Sequence, residues 1–245
     1  MSVELLRFSD GAAIFDPAHI DAGGLHDLLN HDAGAHVPGA AGRAGVRLVD
    51  HDDGRQWIRR RNHRGGWVGR IVSESYVWLG AERTRAFREW RLLARLRELD
   101  LPVPAPVAAV YRRRGLVYGC ELITERLPGT ITLARAVTTG AMSAERWTAV
   151  GACITRFHAH GVDHVDLNAH NILLDAEDHV HLLDFDRGRI RRPGPWTERN
   201  WARLRRSLDK ITRQVPGVSL SARAWGALRA TGAPTCLTWA TLFVG

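Results

Sequence analysis

The sequence has almost no lysine. Of its 34 basic residues only Lys210 is a lysine, and the rest are arginine. Any role that a lysine in the first half of the chain would fill must therefore fall to a guanidinium group. Cysteine is scarce as well. Cys120, Cys153 and Cys236 are far apart and form no CxxC pair, which argues against a disulfide framework and a thiolate zinc site. Reduced core thiols in a cytoplasmic protein are the expectation. No stretch approaches the roughly 20 apolar residues of a spanning helix. The tail CLTWATLFVG at 236–245 is apolar but short, and is expected to be a buried terminal element. The opening MSVELLRFSDG lacks a basic segment followed by an apolar run, so no signal peptide is expected. Internal repeats and low-complexity segments are absent too.

What is present suits a packed globular protein. The chain has 245 residues, 45% of them apolar, with nine Trp, enough for one domain or two lobes around a cleft. The formal charge is +8, carried by arginine. Such a bias can follow genome composition, or it can serve persistent bidentate binding of phosphate and carboxylate. Net charge alone does not separate nucleic acid, anionic membrane and phosphorylated small molecules as partners. No aromatic-basic ribbon or nucleic-acid motif accompanies the charge, so nucleic acid is not an expected partner.

Residues 1–38 carry mixed patterning and are expected to form an N-terminal extension. A glycine-rich entry from Gly39 leads into a hairpin, with strands at 46–49 and 56–60 around the turn Asp52-Asp53-Gly54. A helix over 82–99 is signalled by Ala86, Trp90, Leu93 and Leu96 on one face. Glu89 lies on that apolar stripe, where a carboxylate is costly unless paired, so a cationic partner is expected. The proline-rich 101–106 ends the helix, and strands follow at 107–111 and 116–124. Leu127-Pro128-Gly129 reads as a hinge, with an N-lobe over 39–127 and a C-lobe over 128–245. Trp147, Val150, Ile154 and Phe157 mark a second amphipathic helix, and short strands at 172–174 and 180–183 form a hairpin. Trp201, Leu204, Leu208 and Ile211 mark a final long helix. The class expected is α+β: an antiparallel-sheet lobe with one main helix, then a mostly helical lobe.

The chemistry concentrates in the second half. The run H-V-D-L-N-A-H-N at 164–171 places Asp166 five residues before Asn171, and L-D-F-D follows at 183–186 after a short hairpin. Phosphoryl transfer needs a carboxylate near the attacking hydroxyl and oxygen ligands for Mg²⁺ on the nucleotide phosphates. Asp166 suits the first role; Asn171 and Asp184 suit the second. The matching kinase pattern is H-R-D-L-x-x-x-N followed by D-F-G. Asp and Asn also serve as turn formers, but both motifs together at this spacing are specific.

The first half should then contact ATP phosphates. Gly42, Arg43 and Gly45 resemble a shortened glycine-rich loop whose backbone N–H groups can approach phosphates closely, although glycine clusters commonly mean turns. Arg60 is the best substitute for a strand lysine and Glu89 its carboxylate partner, with Arg59 and Arg61 as competitors. His158-Ala159-His160 resembles the HxH of some metal hydrolases but falls at a helix end with no second cluster. His164 is read as orienting the loop and His170 as an acceptor contact. Arg187 and Arg189, directly after the second motif, would bind an acidic or phosphorylated acceptor if they are more than a solvated face.

These residues resemble one family. Gly42-Arg43, Arg60 with Arg64-Gly65-Gly66, the run TRAFREW at 84–90, LPVPAPVA at 101–108, DLNAHNIL at 166–173, LDFDRG at 183–188 and NWARLRRSLDK at 200–210 are similar to bacterial 3-deoxy-D-manno-octulosonic acid (Kdo) kinases, relatives of the lipopolysaccharide heptose kinases. The resemblance spans roughly residues 40–212. It implies a protein-kinase-like fold and ATP-dependent phosphorylation of a Kdo hydroxyl, by family position 4, on a lipid A precursor. It also implies Mg²⁺ and peripheral contact with the anionic inner face of the inner membrane. Asp166 would be the base, Asn171 and Asp184 metal ligands, and Arg60 with Glu89 the phosphate-positioning pair. Two other readings stand beside it. One is a phosphotransferase of the same architecture acting on an aminoglycoside, choline or homoserine-like alcohol, which would favour H-G-D and an acidic acceptor pocket. The other is a catalytically inactive relative that binds lipopolysaccharide intermediates.

Overall fold

The computed structural model describes residues 2–30, 35–36, 45–51, 53–61, 76–215 and 220–230. The chain divides into two compact units, Met1–Glu98 with Pro104–Leu127, and Leu99–Val103 with Pro128–Gly245.

The first unit is built on an eight-stranded antiparallel sheet. Its strands are β1 (Glu4–Arg7), β2 (Gly11–Phe15), β3 (Ala35–His36), β4 (Val46–Asp50), β5 (Gln56–Arg61), β6 (Tyr76–Val77), β7 (Pro106–Arg114) and β8 (Val117–Glu125). They lie in the order β1-β2-β7-β8-β5-β4-β3, with β6 also on β8. Residues 4–15, whose patterning suggests no element, are two of these strands. Ala12 to Phe15 is a fully buried run without the polar alternation that marks a half-exposed strand. Helix α1 (Ala22–Asn30) is likewise not signalled by the sequence. Its Leu25, Leu28 and Leu29 pack with Phe15, Val49, Trp57, Val110 and Ile123 in the core.

Helix α2 (Arg85–Glu98) packs on β7 and β8. The sequence pattern places its start three residues earlier, where a 3₁₀ turn, Ala81–Arg83, lies instead. Beyond the helix Asp100 adopts φ 55°, a left-handed value that Asp tolerates better than most residues. Pro102 and Pro104 then hold the chain extended.

The second unit contains β9 (Ile131–Thr132), α3 (Leu133–Thr138), α4 (Ala144–Ala159), β10 (Val162–Asp163), β11 (Ile172–Leu174), β12 (Val180–Leu182), β13 (Arg189–Ile190), α5 (Trp196–Gln214) and α6 (Ala222–Arg229). Side-chain oxygens of Thr132, Ser143 and Ser221 cap α3, α4 and α6 by accepting backbone N–H groups three residues on. The apolar stripes of α4 and α5 are buried as their spacing requires, with Trp147, Ile154, Phe157, Trp201, Leu204 and Leu208 inside. The fold is thus α+β, an antiparallel sheet with its helices followed by a mostly helical unit.

Cys120 and Cys153 are buried free thiols, and Cys236 lies outside the described residues together with the rest of the apolar tail. Among the described residues no helix is long and apolar enough to cross a membrane.

Candidate active site

In the second unit, strand β10 pairs with β13, fixing where the following loop begins. The loop 164–171 is drawn tight around one backbone oxygen. The Asp166 carbonyl accepts from Asn168 Nδ2 at 2.9 Å and from Asn171 Nδ2 at 3.1 Å. Leu167, Ala169 and Asn171 are buried, while Asp166 and His170 turn outward. The Asp166 side chain is 38% exposed, accessible to a solute yet rooted in a hydrogen-bonded turn.

The loop is wired to the second motif through both polar groups of Leu183. The Leu183 N–H donates to the Asn171 carbonyl at 2.9 Å. His164 Nε2 meets the Leu183 carbonyl at 2.8 Å, so that nitrogen must carry the hydrogen. Burial pushes the His164 ring below its ordinary range, which keeps it neutral, and it lies 4.6 Å from the Phe185 ring. Phe185 in turn stacks on Phe157 of α4. Between them Asp184 takes φ 65°, a left-handed conformation that sharply redirects the chain at the strand end.

Helix α5 holds the loop at three points along one face. Asn200 Oδ1 accepts from the His164 N–H at 3.1 Å, Arg203 pairs with the Asp166 carboxylate, and Ser207 Oγ accepts from the Ala169 N–H at 3.1 Å. Asn200 Nδ2 also donates to Asp163 Oδ1 at 2.9 Å, and Arg191 binds the other Asp163 oxygen at 3.1 Å. His158 adds a longer contact, 3.4 Å, to Asn200. It is occupied by this network and by the edges of Trp196 and Trp201, and the HxH pair joins no metal cluster among the described residues. Sequence reasoning assigned no role to Asp163, Asn200, Arg203 or Ser207. The available signal was polar residues at 200, 203 and 207, bordering the apolar stripe of a strongly amphipathic helix.

In the first unit, strand alternation separates the three consecutive arginines of β5. Arg60 pairs with Glu89 of α2, which is 2% exposed. Arg59 and Arg61 point to the opposite face and share Glu121, at 2.6 and 3.0 Å. Arg59 also donates to the Leu28 carbonyl of α1 at 3.0 Å. Gly45, with φ 146°, precedes β4, and its carbonyl accepts from Arg61 N at 2.9 Å. Gly42 and Arg43 lie outside the described residues. Arg187 and Arg189 are exposed, and neither forms an ion pair among the described residues; His170 is also exposed.

A loop carboxylate, an amide five residues on and a second aspartate at the adjoining strand end, in an α+β chain of this order, define a protein-kinase-like phosphotransferase. Comparison with known proteins agrees. The lipopolysaccharide kinase (Kdo/WaaP) family matches residues 29–230, and the chain belongs to that family. It is 43% identical over 205 residues to a 3-deoxy-D-manno-octulosonic acid kinase of Stenotrophomonas maltophilia strain K279a, covering 82% of this chain and 81% of the relative. It is 44% identical over the same length, with the same coverage, to the enzyme of that name from Xanthomonas campestris pv. campestris strain B100. Over 171 residues it is 48% identical to that of Xanthomonas oryzae pv. oryzae strain PXO99A, covering 69% of this chain and 68% of the relative. The chain is an ATP-dependent kinase acting on a sugar hydroxyl.

Proposed function

We propose that this kinase phosphorylates a Kdo hydroxyl, at O-4, on a Kdo-lipid A precursor, working from the cytoplasmic face of the bacterial inner membrane. The relatives' names supply the acceptor. The observation that carries the chemistry is the coupling of the Asp166 loop to the Asp184 strand through Leu183. Asp166 takes the proton of the acceptor hydroxyl as its oxygen bonds to phosphorus and the bond to the departing diphosphate breaks. Bound ATP supplies the phosphoryl group, and Mg²⁺ the charge neutralisation.

The donor set fits that ion. Asp184 offers carboxylate oxygens, and Asn171, whose Nδ2 is committed to the Asp166 carbonyl, can ligate only through its amide oxygen. These are the hard oxygen ligands Mg²⁺ takes. Arg60, positioned by Glu89, would hold nucleotide phosphates together with Gly42, Arg43 and Gly45. His170, Arg187 and Arg189 would meet the acidic acceptor. The arginine-rich surface suits an acceptor that carries carboxylate and phosphate in an anionic bilayer.

Radiolabelled phosphate transfer from ATP to Kdo-lipid A precursor tests the reading. Wild type should label the acceptor, and Asp166→Ala should slow transfer roughly 10²- to 10⁴-fold. Equal labelling by both removes Asp166 from the mechanism. Labelling of another small alcohol but not of the Kdo acceptor shifts the function to that alcohol.

A further inference from the structure

Arg203 raises a question that the phosphoryl-transfer reading leaves open. A base that must receive a hydroxyl is already in contact with a guanidinium, donated by a neighbouring helix. Both side chains are well exposed, 47% for Arg203 and 38% for Asp166, so the pair contributes little to stability and exchanges partners cheaply. Its purpose is therefore not to hold the fold together.

The surroundings of Arg203 point the same way. Arg199, Arg203, Arg206 and Lys210 recur at helical spacing along α5, and all are exposed. The two acids of that helix are committed elsewhere, Glu198 to Arg229 and Asp209 to Arg205. Among the described residues Arg199, Arg206 and Lys210 have no ion pair, and the one carboxylate that Arg203 touches is Asp166. A cationic strip thus runs along the helix and reaches the reacting carboxylate at Arg203.

An acceptor hydroxyl held by Asp166 must come within hydrogen-bonding reach of that carboxylate, about 3 Å. The rest of the acceptor ring then lies beside Arg203. A sugar acid carries its carboxylate on the same ring as its hydroxyls, and a guanidinium fork is shaped to bind a carboxylate bidentately.

Building on the acceptor assignment above, we propose that Arg203 is the acceptor-recognition cation: it rests on Asp166 in the free enzyme and takes the acceptor's own carboxylate when the sugar binds. The exchange does two things at once. It frees Asp166 to accept the hydroxyl proton, and it selects acidic over neutral sugars at the reacting position.

The test compares a Kdo-bearing acceptor with its methyl ester, which differs in that one charge. Binding is measured by calorimetry, and transfer by steady-state kinetics. Wild type should prefer the acid roughly 10- to 100-fold, and Arg203→Gln should lose that preference while binding the ester as before. Arg203→Lys should recover part of it. Asp166→Asn, inactive in transfer, should bind the acid at least as tightly as wild type, because Arg203 no longer has a competing carboxylate.

If Arg203→Gln keeps the wild-type preference, or weakens acid and ester equally, the proposal is overturned and Arg203 merely positions Asp166. A wild type that phosphorylates both compounds without preference sinks this inference and leaves the acceptor assignment standing. A wild type that still binds ATP but neither Kdo compound sinks both.

Discussion

Replacing Asn200 with alanine removes the joint between helix α5 and the start of the 164–171 loop. The side chain is 3% exposed and makes two good hydrogen bonds, from the His164 N–H at 3.1 Å and to Asp163 Oδ1 at 2.9 Å. Alanine cannot replace either, and the site is too enclosed for bulk water to do so freely. Losing a hydrogen bond to a charged carboxylate costs about 2 kcal/mol, and an orphaned buried N–H about 2 more. Arg191 still holds the other Asp163 oxygen, which spares the carboxylate a full desolvation penalty. The expected loss is therefore about 4 kcal/mol, a large part of the roughly 5–15 kcal/mol that stabilises an ordinary domain. Urea unfolding of the whole chain, followed by tryptophan fluorescence, reads it as a lower midpoint at unchanged slope. Asn200→Asp provides an internal check. It preserves the acceptor for His164 but sets a carboxylate oxygen where an N–H met Asp163, so it should not restore stability near neutral pH. A loss under about 1 kcal/mol for Asn200→Ala, or full stability for Asn200→Asp, would refute the argument.

Three further outcomes follow from the same physics. Burial pushes His158 down to about 4, below its ordinary 6.5, so the folded protein keeps it neutral while the unfolded chain takes up a proton between those values. Stability should fall as pH drops from about 6.5 to about 4, by up to about 3 kcal/mol, with His164 contributing in the same direction. His158→Gln should flatten part of that slope in urea midpoints measured across the range, and an unchanged slope would sink the assignment. In β5, Arg60→Ala should lower kcat/KM for ATP at least about tenfold, whereas Arg59→Ala should chiefly cost stability, about 2 kcal/mol, by removing a buried guanidinium's bonds to Glu121 and the Leu28 carbonyl while Arg61 still holds Glu121. The opposite ranking in ATP kinetics would mean that Arg59 faces the nucleotide. Burial pushes the Cys153 thiol up to about 12, so a thiol reagent should modify it in urea and spare it in the native protein.

The candidate site was legible in the sequence because it is local. Asp166, Asn171 and Asp184 sit on one loop, a short hairpin and the strand end after it, so their spacing survives without knowledge of long-range packing. The helices were legible where apolar residues recur at helical spacing, as in α2, α4 and α5. Strand β2 was not, because a fully buried run such as Ala12 to Phe15 lacks the polar alternation that announces a half-exposed strand, and β1 is four mostly exposed residues, too short to show a pattern. Helix α1 is short, and its Gly23 and Gly24 disguise it as a break.

By itself the sequence determined that the chain is a kinase of the lipopolysaccharide family, with Asp166 the candidate base. Glu89, a carboxylate on an apolar stripe, also announced from sequence alone that it must have a cation. Which cation was a tertiary question. Arg59, Arg60 and Arg61 are chemically identical neighbours, and only the pleat of β5, with one helix over each face, sends Arg60 to Glu89 and its neighbours to Glu121. The partners of the 164–171 loop are likewise a matter of packing. Asn200, Arg203 and Ser207 lie more than 30 residues along the chain from the groups they hold, and only the docking of α5 beside the loop brings them there.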